Sequence, residues 1–330
     1  METKKEWIEK GYVTEEIDKS LNLKDEIRRM AKEKNAVILA HYYTQAEIQE
    51  VADFIGDSLA LAQQAAKTDA DIIVMCGVHF MAETDKILCP EKLVLVPDLN
   101  AGCSLADSCK AEDLKVLKEQ HPDYKVVSYV NTTADVKTLT DIVVTSGNAK
   151  KIIDTFPQDE KIIFAPDYNL GSYINSITGR NMLLWKGGCH VHQRFSVDEI
   201  VKLKEQHPQA IVLAHPECKA PVLAIADVVG STAVILKHVI ESDRKEFIIA
   251  TEPGILFEMQ QKAPGKTFYP VPPEVSEGGA GCSCNECEYM KMNTLEKVYN
   301  TLKYEYPSVE ISKDKIQKAV LPIKRMLELS

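Results

Sequence analysis

Three short apolar runs recur along the chain with the same polar punctuation: Ala36-Val-Ile-Leu-Ala-His41, Lys125-Val-Val-Ser-Tyr129 and Ala210-Ile-Val-Leu-Ala-His215. Runs of this length and β-branched content predict buried strands. Each ends in a polar ring, His41, Tyr129 or His215. Seven residues past each ring begins an apolar stripe: Ile48, Val51, Ala52, Ile55; then Val136, Leu139, Val143; then Val222, Ile225, Ala226, Val229. The i, i+3, i+4, i+7 spacing is one face of a helix, so a helix is predicted after every strand. A hydroxyl residue follows at a fixed distance, Ser58, Ser146 and the pair Ser231-Thr232, and a further helical pattern begins there. A second buried strand is predicted at Asp71–Val74, Lys161–Phe164 and Phe247–Ala250.

The helix before the strand repeats too. Leu114-Lys-Val-Leu-Lys-Glu-Gln-His-Pro122 matches Val201-Lys-Leu-Lys-Glu-Gln-His-Pro208, and the prolines end both. His121 and His207 therefore read as linker residues. Strands alternating with helices predict an α/β fold with parallel sheets and right-handed crossovers. The expected architecture is three repeated αβα domains around a pseudo-threefold axis, at 23–109, 110–195 and 196–290. A helical extension is expected at 1–22, and a helical segment at 291–330 is expected to pack on the first domain. Such sheets bind ligands beyond the carboxyl ends of their strands, so the rings and hydroxyls are expected to converge on one site.

Composition narrows the function. The 330 residues carry a formal net charge of −10, which argues against nucleic-acid and membrane-surface partners, whose binders are usually basic. The charged segment Met1–Lys10 does not read as a secretory signal, and no apolar run approaches the ~20 residues of a membrane span. A cytoplasmic location is expected, where nine cysteines point to metal binding or catalysis before disulfides.

Each repeat closes on a glycine and a cysteine: Gly102-Cys103, Gly188-Cys189 and Gly281-Cys282, the last followed by Cys284 and Cys287. Glycine is expected there to supply positive φ beside a bulky group. One thiolate per repeat suits an iron–sulfur cluster on the axis. A [4Fe–4S] cluster normally takes four cysteines, and three would leave one iron open as a Lewis acid. The repeat register favours Cys282 as the third ligand, with Cys284 and Cys287 as competitors. A zinc ion on this triplet is the alternative, although it leaves Cys103 and Cys189 unexplained. Cys76, Cys89, Cys109 and Cys218 read as structural.

Candidate chemistry surrounds these positions. Ser58, Ser146, Ser231 and Thr232 read as helix N-caps, whose free N–H groups and positive dipole end attract anions. Ordinary capping is the plainer role for them. His41 and His215, at equivalent positions, suit proton transfer or hydrogen bonding to a carboxylate. Glu217 suits a general base, Tyr43 and Tyr129 phenolic acids or donors, and Asn131 an oxygen-binding amide. No comparable argument attaches to His79, His192 or His238.

Specific stretches go further: Ile38-Leu-Ala-His-Tyr-Tyr43, Ala52-Asp-Phe-Ile-Gly-Asp-Ser58, Ala101-Gly-Cys-Ser-Leu-Ala-Asp107, Tyr129-Val-Asn131, Leu184-Trp-Lys-Gly-Gly-Cys189, Ala214-His-Pro-Glu-Cys218 and Tyr289-Met-Lys-Met-Asn293. From about Ala36 to Met292 the chain resembles the quinolinate synthase family of de novo NAD biosynthesis. The resemblance implies three αβα domains around a [4Fe–4S] cluster held by Cys103, Cys189 and Cys287, which overrules the register's preference for Cys282. Some members carry Cys-x-x-Cys-x-x-Cys where this chain has Cys-x-Cys-x-x-Cys, so Cys282 and Cys284 stay unassigned. It implies condensation of iminoaspartate with dihydroxyacetone phosphate to quinolinate, with loss of phosphate and two waters. It places Tyr43, Tyr129, Asn131 and Glu217 in the active site and His190 against substrate. An aspartate oxidase or dehydrogenase is the expected supplier of iminoaspartate. The rival readings are an iron–sulfur hydro-lyase on another hydroxy acid, an electron carrier or redox sensor, and a zinc-stabilised binding protein.

Overall fold

The structure is a computed structural model that describes residues 4–273 and 285–330. It contains three four-stranded sheets, parallel throughout and identical in strand order. The first holds β1 (Ala36–His41), β2 (Phe54–Gly56), β3 (Ile72–Cys76) and β4 (Leu93–Leu95). The second holds β5 (Lys125–Tyr129), β6 (Ile142–Val144), β7 (Ile162–Ala165) and β8 (Leu183–Leu184). The third holds β9 (Ile211–Ala214), β10 (Val228–Val229), β11 (Glu246–Ala250) and β12 (Thr267–Pro270). In each the order is second, first, third, fourth. The three repeated units and their parallel α/β character are as expected.

The central strands are mainly apolar because helices cover both faces of each sheet. Every residue of β3 and β7 is buried, as are Val126, Val127, Val212 and Leu213. Each fully buried Ile, Leu or Val contributes about 1.5–3 kcal/mol.

The predicted helix after the first strand proves shorter than its stripe. Helix Ala46–Val51 stops before Ile55, which lies in β2; Val143 and Val229 likewise lie in β6 and β10. An apolar residue at i+7 satisfies a helix stripe and a short strand equally well. What ends each helix is a repeated aspartate. Asp53, Asp141 and Asp227 each accept the N–H of the first strand, from Ile38, Val126 and Val212, at 2.7–2.8 Å. Each also donates its own N–H to the carbonyl of that same residue at 2.8–2.9 Å. This two-way clasp starts the edge strand in register in all three repeats.

The paired histidines behave as linker residues. His121 and His207 end helices Ala111–Gln120 and Val197–Gln206 and pack on Tyr124 and Tyr269, with ring centroids 4.8 and 3.6 Å apart. The C-terminal segment packs on the first repeat and reaches the second as well. Helix Leu295–Tyr304 packs Val298, Tyr299 and Leu302 on Ile27 and Met30 of the first repeat. Helix Lys313–Leu329 carries Ala319, Ile323 and Met326 onto the core that includes Ile142 of the second, where Arg325 donates to the Asp141 carbonyl at 2.7 Å. Its apolar stripe finds the open side of β6 there. No helix among the described residues is long and apolar enough to cross a membrane.

Candidate active site

The first strands of all three sheets end at one cavity. Its lining includes His41, Tyr129 and His215 from the strand ends and Cys103, Cys189 and Cys287 from the three repeats. Tyr43, Ser58, Asn131, Ser146, His190, Glu217 and Thr232 line it as well. Among the described residues assigned to the site from the sequence, Ser231 alone does not. It is buried, and its hydroxyl accepts the Val234 N–H as the cap of helix Thr232–Glu241. Cys282 and Cys284 lie outside the described residues.

Local hydrogen bonds aim the rings. His41 Nδ1 accepts the Tyr43 N–H at 3.1 Å, and His215 Nδ1 accepts the Glu217 N–H at 3.3 Å. Burial pushes both imidazoles down to about 3. A neutral imidazole whose Nδ1 is an acceptor carries its proton on Nε2. Both rings therefore offer an N–H donor, and Nε2 of His215 lies 3.2 Å from the Ser146 hydroxyl. The loops after His41 and Tyr129 are held by matched donors eight residues beyond each ring. Gln49 Nε2 donates to the Tyr42 and Thr44 carbonyls at 3.0 and 2.9 Å, and the buried Lys137 ammonium donates to Val130 and Thr132. That fixes Tyr43 and Asn131. The Oδ1 of Asn131 is buried with no partner among the described residues, an acceptor available to a ligand.

Histidine protonation also sets a pH dependence. Folded His41 titrates near 3 against an ordinary 6.5, so below pH 6.5 the unfolded chain binds the extra proton and stability falls with pH. Replacing the ring, His41→Asn, is expected to flatten this acid limb. Urea midpoints at pH 6.5 and about pH 4 check it; identical slopes in parent and variant would contradict it.

Glu217 sits at the centre, with its side chain almost wholly buried. Tyr129 donates its hydroxyl to Oε1, and His192 Nδ1 lies 3.1 Å from Oε2. Burial opposes its ionisation, but His192, His215 and the Tyr129 hydroxyl outweigh that and hold the carboxyl well below its usual range. Burial, then Glu217, keep Tyr129 protonated. His192 was not anticipated. It lies on the short turn His192–Arg194, 3.3 Å from Cys189 Sγ and 3.0 Å from the Thr251 hydroxyl. The one sequence signal for it is its place three residues after Cys189, one helical turn. Cys189, His192 and Glu217 together can hold a metal ion.

The helix starts correct the capping expectation. Asp57, one residue before Ser58, caps helix Ser58–Lys67 by accepting the Ala60 N–H at 3.0 Å, and it also takes the N–H of Ala233. Ser146 precedes Asn148, the residue flanking helix Ala149–Ile153, and caps nothing. Aspartate and asparagine compete with serine for this position, and here they hold it. The hydroxyls of Ser58 and Ser146 are thereby left to face the cavity.

Burial pushes the thiols up, Cys103 to about 12, Cys287 to about 11 and Cys189 well above its usual range. The three lie within electrostatic reach of one another. Among the described residues no fourth cysteine lines the cavity. Among the described glycines positive φ occurs at Gly11, Gly179 and Gly265, and not at Gly102, Gly187 or Gly188; crowding is the constraint at Gly187. A Cβ on Gly187 would sit 2.5 Å from the Pro166 carbonyl oxygen and 2.2 Å from Ser108 Oγ. Gly187→Ala is expected to cost about 1–3 kcal/mol by overpacking, read as a lower thermal midpoint. An unchanged midpoint would show that the turn before Cys189 can relax.

Three parallel repeats, each delivering a cysteine and a polar residue to one shared cavity, define an α/β enzyme with a thiol-lined central site. Residues 25–328 match the model of NadA, quinolinate synthetase A protein, so the chain belongs to that family. It is 54% identical over 304 residues to the quinolinate synthase of Microcystis aeruginosa, spanning 92% of this chain and 94% of that protein. The quinolinate synthases of Trichormus variabilis and Chloroherpeton thalassium are 54% and 52% identical over 310 residues, each spanning 94% of this chain.

Proposed function

We propose that the chain condenses iminoaspartate with dihydroxyacetone phosphate to quinolinate, releasing phosphate and two waters, at a [4Fe–4S] cluster held by Cys103, Cys189 and Cys287. The observation that carries this is the meeting of three thiols, one from each repeat, in a single buried cavity. Three sulfurs match a cubane with one iron left without a protein thiolate. When bound, that iron supplies Lewis acidity for loss of hydroxide. The thiols would lose their protons on loading, because a cationic metal reverses the effect of burial.

The remaining chemistry belongs to the chain. The Nε2–H groups of His41 and His215 and the hydroxyls of Ser58, Ser146 and Thr232 bind the carboxylates and phosphate. The N-terminal ends of helices Ser58–Lys67 and Thr232–Glu241 add positive potential within an acidic protein. Asn131 binds the triose oxygen. Fixing both substrates lowers the entropic barrier to condensation. Glu217, ionised and flanked by the Tyr129 hydroxyl and His192, takes protons from carbon and nitrogen as the ring closes. Tyr129 and Tyr43 hold their protons for departing oxygens, and His190, 2.7 Å from the Ser104 hydroxyl through Nδ1, contacts substrate. The aspartate oxidase or dehydrogenase that makes the imine is the partner this chemistry requires.

The test is an anaerobic assay of the reconstituted chain with both substrates. Quinolinate and phosphate forming in equal amounts are expected; phosphate retention or dependence on another hydroxy acid would favour a hydro-lyase. A second reading has an observation of its own, because Cys189, His192 and Glu217 alone suffice for one divalent ion. A single iron or zinc per chain, with no sulfide, would favour it.

A further inference from the structure

We propose that Glu252 and Lys291 are positioning residues that hold Cys287 through an ion pair, where the loops of the other two cysteines are also tied to their sheets by a backbone hydrogen bond, so that Cys287 is the first thiol to come free. The inference rests on the reading that the three cysteines share one ligand.

The sheet register identifies the equivalent positions. Cys76, Ala165 and Ala250 pair with Ala40, Ser128 and Ala214 of the neighbouring first strands. Three residues further on stand His79, Tyr168 and Pro253. The His79 N–H donates to the Ala101 carbonyl at 2.7 Å, and the Tyr168 N–H donates to the Gly187 carbonyl at 2.9 Å. Each acceptor lies two residues before its cysteine, Cys103 or Cys189. One backbone hydrogen bond thus ties each cysteine loop to the end of its own sheet. Pro253 has no N–H to give, so the third repeat cannot form this bond.

Its neighbour Glu252 makes the tie without it, whereas Asp167, its register equivalent in the second repeat, accepts the Cys189 N–H in addition to the backbone bond. Oε2 of Glu252 accepts the Gly254 N–H at 2.7 Å, which fixes the carboxylate. Oε1 accepts the Cys287 N–H at 3.1 Å and lies 3.0 Å from the Lys291 ammonium. Lys291 stands one helical turn past Cys287, on helix Glu288–Lys291, and also donates to the Tyr43 carbonyl at 2.8 Å. The Glu252 side chain is fully buried and that of Lys291 only 16% exposed. One ion pair therefore joins the third cysteine to its own sheet and to the first-repeat loop that carries Tyr43. A backbone tie survives any change of side chain other than to proline; this one fails with a single charge. Removing Lys291 leaves a buried carboxylate without its cation, a strongly destabilising state that loosens the carboxylate's hold on the Cys287 N–H.

The test compares the parent with Lys291→Met, Lys291→Arg and Glu252→Gln. In the metal-free chain, iodoacetamide labelling at each cysteine is timed by peptide mass spectrometry. Cys287 is expected to react roughly tenfold faster in Lys291→Met, the scale of a lost charged hydrogen bond. Cys103 and Cys189 should keep their parental rates, and Lys291→Arg should restore that of Cys287. Glu252→Gln should behave as Lys291→Met does, and stands in for it should that variant fail to fold. Parental labelling of Cys287 in both charge-removing variants, or an equal rise at all three cysteines, would overturn the proposal. In the reconstituted chain, iron transfer to a ferrous chelator should accelerate in the same variants and not in Lys291→Arg. A parent that takes up no cluster would sink the cluster reading, while the labelling rates still decide the role of the ion pair.

Discussion

Replacing Glu217 by glutamine is expected to lower kcat for quinolinate formation about a thousandfold, within the range that a positioned general base contributes. The substitution keeps the volume of the side chain and leaves an oxygen to accept the Tyr129 hydroxyl. It removes the basic oxygen beside His192, 3.1 Å from Nδ1, and turns an acceptor into an amide donor there. In the proposed reading substrate binding rests on other groups, chiefly the His41 and His215 N–H donors and the helix starts. KM should therefore move far less than kcat, the pattern of an interaction made mainly in the transition state. Steady-state kinetics on anaerobically reconstituted protein measure both. Turnover within about threefold of the parent would remove Glu217 from the role of main base.

The second large effect separates ligand cysteines from structural ones. Cys189→Ala is expected to abolish quinolinate formation and to deplete bound iron. Cys218→Ala should leave both nearly intact. Cys218 is fully buried, and its Sγ faces the Ala250 carbonyl at 3.4 Å and the core around Val212 and Phe195. Losing it should cost about 0.5–3 kcal/mol of stability, the ordinary range for a point substitution, and no cluster. Iron content and activity of the two variants, measured side by side, check this. Equal loss in both would mean that folding and not ligation sets the outcome.

Much of this was legible because the chain repeats itself. One strand such as Ala36–His41 is a weak signal, but three with a ring at the same end fix both the strand and its direction. From there the convergence of His41, Tyr129 and His215 follows from the rule for parallel sheets. The edge strands β2, β6 and β10 were hidden because they are two or three residues long, and their apolar positions also fit a helix. The capping residues were misread by a step at Ser58, where Asp57 is as good a cap, and at Ser146, ahead of Asn148. His192 and Glu252 were invisible for another reason. Each earns its place from the fold of a turn, not from periodicity: His192 reaches Cys189 through a single helical turn, and Glu252 meets Cys287 only across the closed site. The repeat register pointed to Cys282, which lies outside the described residues, while Cys287 lines the cavity. The third repeat also lacks the backbone bond of the first two, because Pro253 has no N–H to give.

The central claim is that one thiol from each repeat holds a [4Fe–4S] cluster in the shared cavity. Counting iron and acid-labile sulfide in the anaerobically reconstituted chain tests it most directly. About four irons and about four sulfides per chain are predicted, falling together when Cys103, Cys189 or Cys287 is replaced. A single metal ion per chain without sulfide, indifferent to Cys103, would contradict it.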